Sequence, residues 1–152
     1  LCVGIRSLPD SQATQRGWPR VLRFNGYGDY QRLKGEMGRI LYEITGLEHS
    51  RQEVAVHEAL ANAMECRDGV SRQHRASVRF NKLGNRLVVR VRTSRLAFAG
   101  NAMLRRLRSQ PEEMFAFGED ASMGRGIPLM ICLTDKMTYN SEGTELLLAW
   151  KL

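Results

Sequence analysis

The sequence has few cysteines and no long apolar run, and these shortages exclude several classes of protein. Its three cysteines, Cys2, Cys66 and Cys132, are odd in number and far apart, so neither a disulfide framework nor a CxxC metal site is indicated. No apolar stretch approaches the roughly 20 residues that a membrane-spanning helix needs, and the first residues do not form a signal peptide. We therefore expect a soluble, cytoplasmic domain that does not enter a membrane.

Several familiar catalytic motifs are also missing. His57 and Glu58 begin an HE pair, but Ala61 stands where a zinc-binding HExxH helix needs its second histidine. Neither a GxSxG nucleophile elbow nor a GxxxxGK[ST] phosphate loop occurs in the sequence. His49 and His74 have no metal-ligating residues at a suitable spacing, so we interpret them as surface residues. These absences exclude zinc proteases, serine hydrolases of the elbow type and P-loop enzymes.

The composition that remains is that of an ordinary globular protein. With 152 residues, of which 43% are hydrophobic and 26% charged, the chain suits one domain with a full core rather than a disordered segment. The first residue is Leu1 rather than methionine, so we expect the C-terminal part of a longer chain. We assign residues 1–19 to an N-terminal extension or linker and residues 20–152 to the domain.

The net charge is +7, and many of the basic residues fall on two predicted strands. In RASVRF and RLVVRVR, Arg79, Arg90 and Arg92 alternate with valine and phenylalanine, which predicts the open face of a half-buried antiparallel sheet. No recognition helix or aromatic stacking motif accompanies these arginines. We therefore rank a solvated face first, an acidic protein partner second and nucleic acid third.

Periodicity and turn residues predict a strand and two helices in the first half of the domain. VLRF is the candidate strand, and apolar residues at helical spacing predict a helix from about Asp29 to Thr45 that ends at Gly46. A second helix from about Arg51 to Cys66 follows an S-x-x-E capping box. Both helices carry an apolar face that a sheet can bury.

The second half predicts two hairpins around a long connection and a helix. The segments ASVRFN and RLVVRVR flank KLGN, which favours a tight turn, and MTYN and TELLLAWKL flank NSEG. The connection from Ala97 to Gly124 includes NAMLRRLRS, a candidate short helix, and IPLMICLTDKM predicts a helix with Pro128 in its first turn. The fold class is therefore α+β: a two-layer sandwich of a mostly antiparallel sheet with helices on one face.

Two short motifs carry most of the functional information. Glu58 and Asn62 lie one turn apart on the second helix, among alanines that leave their polar groups accessible. Gly124, Arg125 and Gly126 open the later helix, where backbone N–H groups can approach an anion. Taken alone, a GxG segment favours an ordinary helix-start turn over a phosphate site.

In their order along the chain, these motifs resemble the ATPase domain shared by gyrase, a heat-shock chaperone, histidine kinases and mismatch-repair proteins. More narrowly, the chain is similar to the anti-sigma-factor serine kinases of bacterial partner-switching systems. The resemblance covers about residues 20–152 and rests on VAVHEALANAM, the hairpin after it and MGRGIPLMICLTDKMTYNSEGTELLLAWKL. It implies the histidine-kinase-like ATPase fold, ATP and Mg as cofactors, and an anti-sigma antagonist-like protein and/or a sigma factor as partners. Self-association as a homodimer stays open.

The resemblance also implies roles for individual residues. Asn62 stands where the family binds magnesium, and Glu58 stands where it takes the proton of an attacking serine hydroxyl. Thr144 matches the last motif, near the adenine. The phosphate-binding turn corresponds to Gly124, Arg125 and Gly126.

The middle motif departs from the family pattern Asp-x-Gly-x-Gly. Thr93 stands at the aspartate that accepts a hydrogen bond from the adenine, and Arg95 and Ala97 replace the two glycines. A threonine hydroxyl still accepts a hydrogen bond, though without charge, whereas Arg95 either blocks the turn or reaches phosphate. Cys66 occupies about the position of a family histidine. The alternative to a kinase is therefore a degenerate module that binds a regulatory protein without nucleotide.

Overall fold

The computed structural model describes residues 17–64, 75–94, 99–114 and 126–152. The strands are β1 (Arg20–Asn25), β2 (Arg75–Leu83), β3 (Arg86–Thr93), β4 (Lys136–Tyr139) and β5 (Glu145–Lys151). The helices are α1 (Tyr27–Thr45), α2 (Arg51–Met64), α3 (Gly100–Ser109) and α4 (Gly126–Leu133), with a 3-10 turn at Pro111–Met114. All strand pairs are antiparallel and follow the order β1-β2-β3-β5-β4, which confirms the α+β class.

The sheet has one buried and one open face, as the alternating sequence predicts. Val78, Phe80 and Val89 are fully buried on the inner face, while Arg79 and Arg90 are exposed on the other. Successive strand residues point to opposite faces, so the helices cover one side and the arginines lie on the other. The result is a two-layer structure with its core between sheet and helices.

The first helix begins and ends close to its predicted limits, and the second begins at its predicted first residue. Gly46 adopts the left-handed conformation (φ 71°) at the end of α1, and its N–H donates to the Tyr42 carbonyl. At the start of α2, the Glu53 N–H donates to the Ser50 hydroxyl oxygen over 3.2 Å, which confirms the predicted cap. The predicted end at Cys66 lies outside the described residues.

The last helix is shorter than its apolar pattern predicts. IPLMICLTDKM indicates a helix through Met137, but α4 ends at Leu133, and Met137 pairs with Leu148 in the sheet. The Trp150 indole N–H donates to the Leu133 carbonyl over 2.7 Å and so satisfies one of the acceptors that a helix end leaves exposed. Strand pairing therefore replaces the last predicted turn of the helix, and both Met130 and Met137 are buried in the core.

The candidate helix in NAMLRRLRS is confirmed as α3, and it covers the edge strand. The Asn101 side chain donates to the Tyr139 carbonyl over 2.7 Å and accepts from the Tyr139 N–H over 2.9 Å. Arg108 donates to the Met137 carbonyl on the same strand. These bonds occupy backbone groups of β4 that an open edge would offer to another strand. No helix within the described ranges is long and apolar enough to cross a bilayer.

Candidate functional site

Helix α2 holds the two polar side chains that the sequence singles out. Ala55, Ala59 and Leu60 are buried against the sheet, whereas Glu58 and Asn62 are only partly buried on an adjacent stripe. That stripe faces the first turn of α4, because the backbone of Gly126 lies against both side chains. The helical spacing of four residues is therefore what brings the carboxylate and the amide to the same neighbour.

Gly126 is the residue that allows this close contact. A Cβ atom at this position would lie 2.9 Å from Asn62 Nδ2, 3.0 Å from Glu58 Oε2 and 3.2 Å from Asn62 Oδ1. Separations of that size are shorter than ordinary van der Waals contact, so any larger residue would displace one or both side chains. The start of α4, where the dipole is positive and the N–H groups of Gly126 and Ile127 have no partner within the helix, thus lies against Glu58 and Asn62.

The other side of the site is formed by the end of β3. The Thr93 hydroxyl donates to the Ala63 carbonyl over 2.7 Å, and the Thr93 N–H donates to the Thr144 carbonyl over 3.0 Å. Since Ala63 follows Asn62 directly, Thr93 lies beside the polar stripe of α2. The structure therefore brings Thr93 and Thr144 together and places both next to the helix that carries Glu58 and Asn62.

Sequence reasoning missed Asn140, which fixes the turn that presents Thr144. Its side-chain oxygen accepts from the N–H groups of Thr144 and Glu145 over 2.9 and 3.1 Å, and its amide donates to the Thr144 hydroxyl over 3.0 Å. Gly143, in the same turn, has φ 72°, a conformation that favours glycine. An asparagine opening an N-S-x-G turn was the available signal, because its side chain readily caps backbone N–H groups.

A polar contact between α1 and α2 also escaped prediction. The Tyr30 hydroxyl and His57 Nδ1 are 2.7 Å apart, and His57 Nε2 lies 3.8 Å from Glu53 Oε1. Burial raises the pKa of Tyr30, with smaller contributions from Tyr27 and Glu58, and burial lowers the pKa of His57 against the opposing effect of Glu53. His57 is therefore neutral at pH 7, one residue away from the candidate base.

The donor set suits a magnesium ion that is held mainly by phosphate. Within the described ranges, no group of three or more His, Cys, Asp or Glu side chains is arranged to hold a metal. Magnesium typically uses one or two protein oxygens together with substrate phosphates and water. The Asn62 amide oxygen beside the start of α4 fits that requirement, and a cage of carboxylates is not needed.

The structure thus unites five of the seven predicted site residues in one region. Glu58, Asn62 and Gly126 make one contact group, and Thr93 and Thr144 make the adjoining one. The remaining two, Gly124 and Arg125, lie outside the described residues. So do Arg95 and Ala97, the other departures from the middle motif.

Comparison with known proteins gave one family match. A family model described as Histidine kinase-like ATPase domain matches residues 36–150, which is more than half of the chain. The matched segment includes every described residue of the site. A search of curated proteins gave no match.

Proposed function

This chain belongs to the histidine kinase-like ATPase family, and on that premise we propose that it is a regulatory ATP–Mg-binding protein-serine kinase of the anti-sigma-factor type. In this proposal the domain phosphorylates a serine on an antagonist-like protein and otherwise sequesters a sigma factor, so that its partners exchange. The observation that supports it is the packing of Glu58 and Asn62 on the glycine backbone that opens α4. A purely structural helix contact does not need a carboxylate and an amide at this point.

The side chains divide the chemistry between them. Asn62 would supply an amide oxygen to magnesium, which when bound neutralises negative charge on the phosphates. The backbone N–H groups at the start of α4 would face the phosphate oxygens. Glu58, one turn away on the same stripe, is the carboxylate placed to accept the proton of the substrate serine hydroxyl. The Thr93 hydroxyl oxygen would accept a hydrogen bond from the adenine amino group.

Calorimetric titration of the chain with ATP and ADP, with and without magnesium, tests the binding site. We expect binding that depends on magnesium and is lost in Asn62→Ala. Asn81→Ala is the matched control, because Asn81 lies on β2 on the open side of the sheet. Nucleotide affinity that is insensitive to Asn62→Ala would contradict the site assignment.

The base is tested separately by Glu58→Gln, which removes the charge and keeps the shape. Transfer of labelled phosphate from ATP to a library of serine peptides should fall about 10²- to 10⁴-fold, the usual contribution of a general base. Nucleotide affinity should be almost unchanged, since the carboxylate acts on the hydroxyl rather than on the nucleotide. A variant that transfers phosphate at the original rate would exclude Glu58 as the base.

Thr93 supports a second candidate, the degenerate module that binds a regulatory protein without nucleotide. The Thr93 hydroxyl already donates its proton to the Ala63 carbonyl, and the threonine side chain has no charge with which to bind an adenine amino group strongly. If the folded chain binds no nucleotide up to millimolar concentration, this second function replaces the first. Neither Glu58→Gln nor Asn62→Ala should then alter affinity for the partner protein.

A further inference from the structure

The open face of the sheet has a strongly unequal charge. Among the described strand residues it carries eight basic side chains and a single carboxylate, that of Glu145. The basic residues, all exposed, are Arg23, Arg75, Arg79, Arg86, Arg90, Arg92, Lys136 and Lys151. The family match does not account for this face, because it lies on the side of the sheet opposite the helices that carry the candidate site.

The centre of this face places two positive charges side by side. Arg79 on β2 pairs directly with Arg90 on β3, and like charges in such cross-strand pairs destabilise a sheet. Glu145 forms ion pairs with Arg90 and Arg92. Across the described segments, Arg79 has no ion pair within 4.0 Å. Among the described strand residues, the Glu145 carboxylate alone therefore offsets the positive charge of this face. An added anionic group would relieve the repulsion.

The same face has apolar residues between the charges. Val21 pairs with Arg79, Leu147 pairs with Arg90, and Val88 pairs with Ala149, and all four apolar side chains are partly or fully accessible. No aromatic side chain occurs on this face in the strands as described, so the stacking surface that single-stranded nucleic acids use is missing. A second copy of the face would add positive charge rather than neutralise it. Acidic residues interspersed with apolar ones match the pattern best.

We propose that the open sheet face, with the Arg79–Arg90 pair at its centre, is a docking surface for an acidic, partly apolar segment of a partner protein. This surface is separate from Glu58, Asn62 and Gly126, so it operates whether or not the chain binds nucleotide. Its role is to hold the partner by charge complementarity and limited apolar contact, and the interaction weakens as salt rises.

Fluorescence anisotropy of a labelled peptide of alternating glutamate and leucine tests the surface. The double variant Arg79→Gln/Arg90→Gln removes the central pair. The matched control Arg39→Gln/Arg105→Gln removes the same net charge from exposed positions on α1 and α3. We expect about a tenfold loss of peptide affinity in the sheet variant and little change in the control. The melting temperature of the sheet variant should be unchanged or higher, because a like-charge pair is removed.

Three results would overturn the proposal: no binding of the peptide at low salt, an equal loss in both double variants, or tighter binding of an oligothymidylate of the same charge. The last result would identify the face as a nucleic-acid surface. Nucleotide titration of the same variants keeps this test independent of the candidate ATP site, because Arg79 and Arg90 lie on the opposite face of the sheet.

Discussion

The two ends of the candidate site are held by different kinds of contact. At the phosphate end, the side chains of Glu58 and Asn62 pack on the glycine backbone of α4. At the adenine end, Thr93 is fixed by hydrogen bonds to the carbonyls of Ala63 and Thr144. The first arrangement depends on which side chains are present. In the second, one of the two bonds comes from the Thr93 N–H, which almost any residue supplies, and the other comes from the Thr93 hydroxyl.

This difference explains how the two ends can diverge in sequence. At the proposed phosphate end, Glu58, Asn62 and Gly126 supply a carboxylate, an amide and a glycine backbone, and each of these has properties that few substitutes share. At the adenine end, the shape is preserved by the β3-to-turn backbone bond even though threonine stands in place of aspartate. We infer that this end of the site can lose affinity for adenine while its backbone conformation is kept.

The largest effect is expected from Gly126→Ala, which inserts a methyl group at the phosphate end. The new Cβ would lie 2.9 Å from Asn62 Nδ2, so the amide must move. We expect nucleotide affinity to fall by about tenfold or more by calorimetry, because small displacements of ligating groups are costly. Gly35→Ala, in α1 with no atom within 4 Å of the added Cβ, is the control and should not weaken binding. Equal affinities in the two variants would show that the close contact is unimportant.

Next in size is Asn140→Ala at the adenine end. It removes a side chain that bonds two backbone N–H groups and one hydroxyl. We expect the free energy of unfolding to fall by about 1–2 kcal/mol in urea denaturation, because three hydrogen bonds are lost at a partly exposed turn. Asn85→Ala, in the β2–β3 turn, should cost less. Equal losses would mean that the Thr144 turn is not specifically supported by Asn140.

Thr93→Val probes the adenine end with a smaller change. Loss of the bond to the Ala63 carbonyl should lower the free energy of unfolding by about 1 kcal/mol. If the hydroxyl also accepts from adenine, affinity for ATP should fall about three- to tenfold while affinity for GTP stays the same. Thr138→Val on β4 serves as control. A variant whose ATP affinity matches that of the parent would exclude Thr93 from adenine recognition.

The smallest effect is a pH dependence near the phosphate end. Burial holds the pKa of His57 below the usual histidine value of 6.5, so the unfolded chain binds more protons than the folded one in that range. The stability contributed is fully present above pH 6.5 and is lost as pH falls through the folded pKa. Denaturation midpoints across this window should show less pH dependence in His57→Gln than in the parent. An unchanged slope would assign the effect to another group.

Local patterns were enough to predict most of the secondary structure. Alternation placed Val78, Phe80 and Val89 in the core, and helical spacing placed Glu58 and Asn62 on one stripe. Both are short-range geometric rules, with periods of two residues in strands and 3.6 in helices. The end of α4 was predicted wrongly, because the helical pattern was extended as far as Met137. The prediction of MTYN as a strand was the right one for this residue, which pairs with Leu148 on β5.

Two of the contacts that sequence reasoning missed join residues far apart in the chain. The Tyr30–His57 contact spans 27 positions, and the Thr93–Ala63 bond spans 30. No local periodicity encodes such pairs, because they depend on how helices and strands pack. The Arg79–Arg90 pair could be predicted only in part. The alternation predicts that both side chains lie on the open face, but the hairpin register is what sets them opposite each other.

Three features could be predicted from the sequence alone: the α+β class, the open arginine face and the carboxylate–amide pair of α2. Each follows from spacing along a single element. Three other features came from the packing of the elements against one another. Gly126 lies against that pair, Thr93 is bound to α2 and to the Thr144 turn, and α4 ends shortly before β4 begins. Those outcomes depend on atoms from different elements competing for the same space and the same hydrogen-bonding groups.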